Sequence, residues 1–117
     1  MKVYLAGPMR GIPEFNFPAF YRFAAQLRAQ GHEVFSPAEK DNERHGTDIS
    51  KGNAAGDEAV ATKEHGFNLR EALKIDLDWI LDHAECIALM PGWEKSRGAK
   101  AEFATAAAIG LKVMVLE

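Results

Sequence analysis

Apolar residues fall into short blocks separated by turn chemistry. Residues 2–6 (KVYLA) form a β-branched and aromatic run closed by Gly7-Pro8, the pattern of a buried parallel strand. Residues 17–30 follow, with Phe20, Phe23, Ala24 and Leu27 at helical spacing. Asn16 stands at the N-cap position, Pro18 in the first turn and Gly31 at the C-terminal cap. Residues 33–35 (EVF) read as a brief strand ended by Ser36-Pro37. Residues 40–66 hold four of the ten glycines, many charges and almost no large apolar residue, so a long polar loop is expected there, with at most a marginal helical turn. Order resumes at a capping box, Asn68 and Glu71. A helical stripe of Leu69, Ala72, Leu73, Leu77, Ile80 and Leu81 then runs to about residue 82. A strand at 85–90, a loop at 91–97, an alanine-rich helix at 98–109 ended by Gly110, and a strand at 112–116 complete the pattern.

Alternation of strands and helices implies a parallel sheet with helices on both faces. Right-handed crossovers leave few topologies. The expectation is a small flavodoxin- or Rossmann-like three-layer α/β sandwich with strand order 2-1-3-4, one domain over residues 1–117. In that order the first and third strands are neighbours whose following helices leave on opposite faces. Ligands of such sheets bind at that switch point. The loops meeting there are residues 7–15 and 91–98.

Composition narrows the class. With 14 Lys+Arg against 17 Asp+Glu, the net charge of -3 speaks against a nucleic-acid-coating surface. The single cysteine, Cys86, excludes an internal disulfide and fits a reducing compartment. The opening MKVYLAGPMRG is too soon broken by Pro8 and Arg10 for a signal peptide, and no apolar run approaches the roughly 18 residues of a membrane span. A cytoplasmic location is expected. His32, His45, His65 and His83 are scattered, and no Cys/His cluster exists, so neither a metal nor another cofactor is expected.

Two carboxylates occupy unusual positions. Asp76 lies four residues from both Ala72 and Ile80, inside the apolar stripe, while Asp78 and Asp82 point away. Glu102 lies one turn into its helix among Ala99, Phe103 and Ala106. A lone carboxylate at a helix edge ordinarily reaches solvent. Two on helices bordering one crevice suit cleavage of a glycosidic bond. Gly7, Arg10 and Gly11 supply a tight turn, backbone N–H groups and a guanidinium. Ser96, Arg97 and Gly98 supply a hydroxyl, a second guanidinium and a helix N-terminus, so the two loops together form a phosphate cradle. Tyr4 is either core packing or a hydrogen-bond donor to Glu102, and Trp93 either stacks on a base or closes its loop.

KVYLAGPMRG, IDLDWILDHAECIALMPGW and SRGAKAEFATAAAIG, in that order, resemble the nucleoside 2-deoxyribosyltransferase-like superfamily. That superfamily also includes 2'-deoxynucleoside 5'-phosphate N-hydrolases, and the closest likeness is to a small bacterial and phage branch. The likeness covers about three quarters of the chain and excludes residues 40–66. It implies that Glu102 is the nucleophile at the anomeric carbon. By the same likeness Asp76 handles the base and its protonation, and Tyr4 orients the glutamate. Ser96 and Gly98, six and four residues before Glu102, match the phosphate-holding serine and glycine of the phosphohydrolases. Transferases favour an aspartate where Ser96 stands. Arg10 and Gly11 match the phosphohydrolases' first-loop phosphate contacts. The long polar stretch departs from the family, and Trp93 has no place in its pattern. Members form dimers or larger assemblies, so a homo-oligomer is expected.

The leading expectation is an N-glycosidase that hydrolyses or transfers the base–deoxyribose bond of a deoxynucleoside 5'-monophosphate or nucleoside. The alternative is a non-catalytic nucleotide-binding or sequestering module of the same fold. The two inward carboxylates disfavour it, because they would repel a purely anionic ligand. A flavin carrier is a weaker alternative, and cleavage of NAD at its glycosidic bond would use the same chemistry and belongs in the same screen.

Overall fold

The computed structural model describes residues 1–45 and 69–117. Most of the polar stretch at 40–66, and Asn68 of the expected capping box, lie outside the described residues. The elements run β1 (Lys2–Ala6), a 3-10 turn (Pro13–Asn16), α1 (Phe17–Ala29), β2 (Glu33–Phe35) and α2 (Pro37–His45). After the undescribed residues come α3 (Leu69–Asp82), β3 (Cys86–Leu89), a 3-10 turn (Trp93–Lys95), α4 (Arg97–Ala108) and β4 (Lys112–Val115). The four strands form one parallel sheet ordered β2-β1-β3-β4, the flavodoxin- or Rossmann-like arrangement that the alternation implies. Val3 pairs with Cys86 and Ala6 with Leu89, so β1 and β3 finish level at their carboxyl ends. The ladder continues one residue further, through Met90 N–H to the Ala6 carbonyl (2.8 Å) and Leu116 N–H to the Leu89 carbonyl (2.9 Å).

Side chains alternate across a strand, so β1 feeds two cores. Val3 and Leu5 join Cys86, Ala88 and Met90 under α1, whose Phe17, Phe20, Phe23, Ala24 and Leu27 are all buried. Tyr4 and Ala6 join Ile87 and Leu89 under α3 and α4, which bring Ile80, Ala99 and Ala106. Burying a side chain the size of Phe20 contributes about 2–3 kcal/mol. β4 is an edge strand and leaves Val113 and Val115 exposed.

Three local expectations need correction. Asn16 stands before α1 but makes no side-chain cap; its φ is 62°, and its Nδ2 donates to the Pro8 carbonyl at 3.1 Å. Residues 40–45 are helix rather than loop: Pro37 pre-sets the backbone of a first turn, and the Lys40 N–H donates to the Ser36 carbonyl (3.1 Å). In α3 the stripe is narrower than the spacing suggests. Leu69 and Leu81 are exposed, and the buried line is Ala72, Asp76 and Ile80, spaced four residues apart.

Candidate active site

β1 and β3 end side by side, and the chains leaving them diverge to open a cavity of about 830 Å³. That volume lies within the range of small-molecule sites, about 300–1,000 Å³. The first loop forms one wall. Gly7 sits so close to β3 that a Cβ there would come within 2.7 Å of Met90 Sδ and 2.8 Å of its Cβ. Gly11 then turns the chain at φ 79°. Glu14, Phe15 and Asn16 follow with φ of 54°, 53° and 62°, three successive left-handed residues none of which is glycine. Each such residue costs about 1–2 kcal/mol. Burial of Phe15 and the Asn16–Pro8 hydrogen bond hold the turn against that cost. Strain of this kind accumulates where a ligand wall must be fixed.

Glu102 enters from the second turn of α4 and is 6% exposed. The Tyr4 hydroxyl donates to Glu102 Oε2 at 2.7 Å. Tyr4 is itself locked: its ring stacks on Phe35 with centroids 5.4 Å apart and lies 6.4 Å from Trp79. Burial, then the charges of Glu102 and Asp76, push the Tyr4 hydroxyl well above its ordinary range, so it remains a donor. Asp76, at the middle of α3, shares a hydrogen bond with Glu102. Burial chiefly, and then the Asp76 charge, push the Glu102 carboxyl well above the usual carboxylate range. The Tyr4 hydrogen bond pulls it the other way. The result is a carboxyl pair that holds a proton more tightly than two surface acids would.

The other end of the cavity is the α4 N-terminus. Ser96 is its N-cap: Oγ accepts from Ala99 N–H at 3.1 Å, which leaves the hydroxyl proton to be donated. Arg10, Gly11, Lys95, Ser96, Arg97 and Gly98 all line the cavity. A Cβ at Gly98 would meet nothing closer than Ser96 Oγ at 4.0 Å, so the protein itself does not require glycine there.

The structure thus brings Tyr4, Asp76 and Glu102 into one contact network and gathers Gly7, Arg10, Gly11, Ser96 and Gly98 on the same cavity. Trp93 is not among the lining residues. Its ring packs on Phe103 at 4.9 Å. Two charged lining residues, Lys95 and Asp41, were not singled out from the sequence. Asp41 is 4% exposed on α2, and its charge also raises Glu102 and Tyr4. The signal was present: Pro37 starts a helix, and Ala38 and Asp41, three apart, share its inner face. Among the described residues, no group of three His, Cys, Asp or Glu side chains is placed to hold a metal ion, and no helix is long and apolar enough to cross a membrane.

A family model described as a domain of unknown function (DUF4406) matches residues 1–115. No curated protein and no solved structure matches the chain. With nearly its whole length matched, and its sheet and cavity falling within the matched span, the chain belongs to the DUF4406 family.

Proposed function

We propose that the protein is an N-glycosidase acting on a deoxynucleoside 5'-monophosphate, in the manner of the nucleoside 2-deoxyribosyltransferase-like enzymes its motifs resemble. The observation that carries the reading is the hydrogen bond from Tyr4 to Glu102, beside Asp76, on a cavity that the α4 N-terminus, Arg10 and Arg97 also line. The cradle takes the phosphate through helix N–H groups, the Ser96 hydroxyl and the guanidinium groups. That places C1' near Glu102.

Tyr4 holds Oε2, so Oε1 is the attacking oxygen. Positive charge developing at C1' favours the anion on Glu102 and the shared proton on Asp76. Glu102 Oε1 bonds to C1' as the C1'–N bond breaks. The bonding pair leaves with the base, which takes the Asp76 proton. A water oxygen then attacks C1', Asp76 takes its proton, and Glu102 leaves as the carboxylate. The products are the free base and 2-deoxyribose 5-phosphate. A second base in place of water would make the reaction a transfer.

Association into a homo-oligomer accompanies this reading. The exposed Ile109, Val113 and Val115 beside the β4 edge support it, since such an edge is best covered. The lone buried Cys86 supports a reducing, cytoplasmic setting. The test is to incubate the protein with each deoxynucleoside monophosphate and resolve free base by chromatography. Base release by the wild type and none by Glu102→Gln is expected. Identical traces from the two across every base would refute the proposal.

A further inference from the structure

The cavity is lined by charges of both signs. Among the described residues its cationic side chains are Arg10, Lys95 and Arg97, from the loops after β1 and β3 and from the start of α4. Its three carboxylates, Asp41, Asp76 and Glu102, come from α2, α3 and the second turn of α4. Topology orders them. β2 lies on the far side of β1 from β3, so α2, which leaves β2, stands across the cavity from the α4 N-terminus. A ligand with its phosphate at that N-terminus and its anomeric carbon at Glu102 therefore extends toward α2 and α3. The wall there is Pro37, Leu69, Ala72 and Leu73, apolar surfaces suited to a flat ring, with Asp41 set among them.

Asp41 is deeply set, and an ionised carboxylate accepts hydrogen bonds without donating any. Adenine, guanine and cytosine each present an exocyclic amino group. Thymine and uracil present one N–H flanked by two carbonyl oxygens, which a carboxylate repels. We infer that Asp41 reads the base and selects deoxynucleotides whose base carries an amino group. The inference rests on the N-glycosidase reading for the orientation of the ligand. Within that reading, Asp41 sets specificity and Glu102 and Asp76 perform the chemistry.

Two measurements test it. The first is kcat/KM for the adenine, guanine, cytosine and thymine deoxynucleoside monophosphates, with wild type and Asp41→Asn. The wild type should favour at least one amino-bearing base over thymine by about 10-fold to 100-fold. Asn, which donates as well as accepts, should collapse that ratio to within about threefold. A uniform loss across all four bases would instead make Asp41 a sugar contact or a scaffold residue and overturn the inference. The second measurement needs no Asp41 variant. The four nucleotides are titrated against Glu102→Gln by calorimetry, so that no turnover intervenes, and the same preference should appear in Kd. Equal affinities for all four overturn the inference even if the wild type releases base. A preserved preference with no base release by the wild type supports Asp41 as base reader while refuting the glycosidase chemistry.

Discussion

In the proposed reaction Glu102 must keep a proton in a buried site and yet surrender it for attack on carbon. Its upward-shifted carboxyl binds more protons folded than unfolded, so stability falls as pH rises from the ordinary carboxylate range through the folded value. Glu102→Gln removes that dependence and still accepts from Tyr4. The variant should be more stable than wild type at neutral pH, by about 0.5–2 kcal/mol in thermal unfolding, while base release is lost. At low pH, where the wild-type carboxyl is neutral, the two proteins should unfold together. Tyr4→Phe probes the opposite influence. The Tyr4 hydrogen bond lowers the Glu102 value, so its removal should shift the acid limb of the activity profile to higher pH. An unmoved limb with reduced kcat would mean that Tyr4 only packs.

At the scale of elements, the α4 N-terminus serves the fold and, in the proposed function, the ligand, and two variants separate those roles. Ser96→Ala removes the cap and should cost about 1 kcal/mol of stability as well as raising KM. Gly98→Ala meets no crowding and replaces the weaker helix former. It should unfold no more readily than wild type and still bind the monophosphate at least about tenfold more weakly, because its methyl group enters the phosphate's space. Unchanged KM in Gly98→Ala would remove the phosphate from that end. The same elements show what the sequence made legible. Asp76 and Glu102 stood out because helical phase alone turns them inward. The Tyr4 contact was open from the position of Tyr4 in β1. Asp41 stayed hidden because α2 is short and its neighbours are polar, so no apolar stripe announced it. The left-handed turn at 14–16 was hidden for another reason: it is imposed by Phe15 burial and the Asn16–Pro8 bond, and neither leaves a periodicity.

The whole molecule follows from strand and helix alternation, which fixed a parallel sheet and, with right-handed crossovers, the 2-1-3-4 order found. That order makes β1 and β3 neighbours and so sets the cavity between their loops. The near-balanced charge concealed a cavity lined by both signs, with Arg10, Lys95 and Arg97 beside Asp41, Asp76 and Glu102. In the proposed reading the phosphate lies at the α4 N-terminus and the base extends toward α2 and α3. The most direct test is a crystal structure of Glu102→Gln with a bound deoxynucleoside monophosphate. The phosphate should sit on Gly11, Ser96 and Gly98 beside Arg10, with C1' facing residue 102 and the base against Pro37, Asp41 and Leu73. A nucleotide bound in the reverse sense, or with C1' turned away from residue 102, would contradict the account.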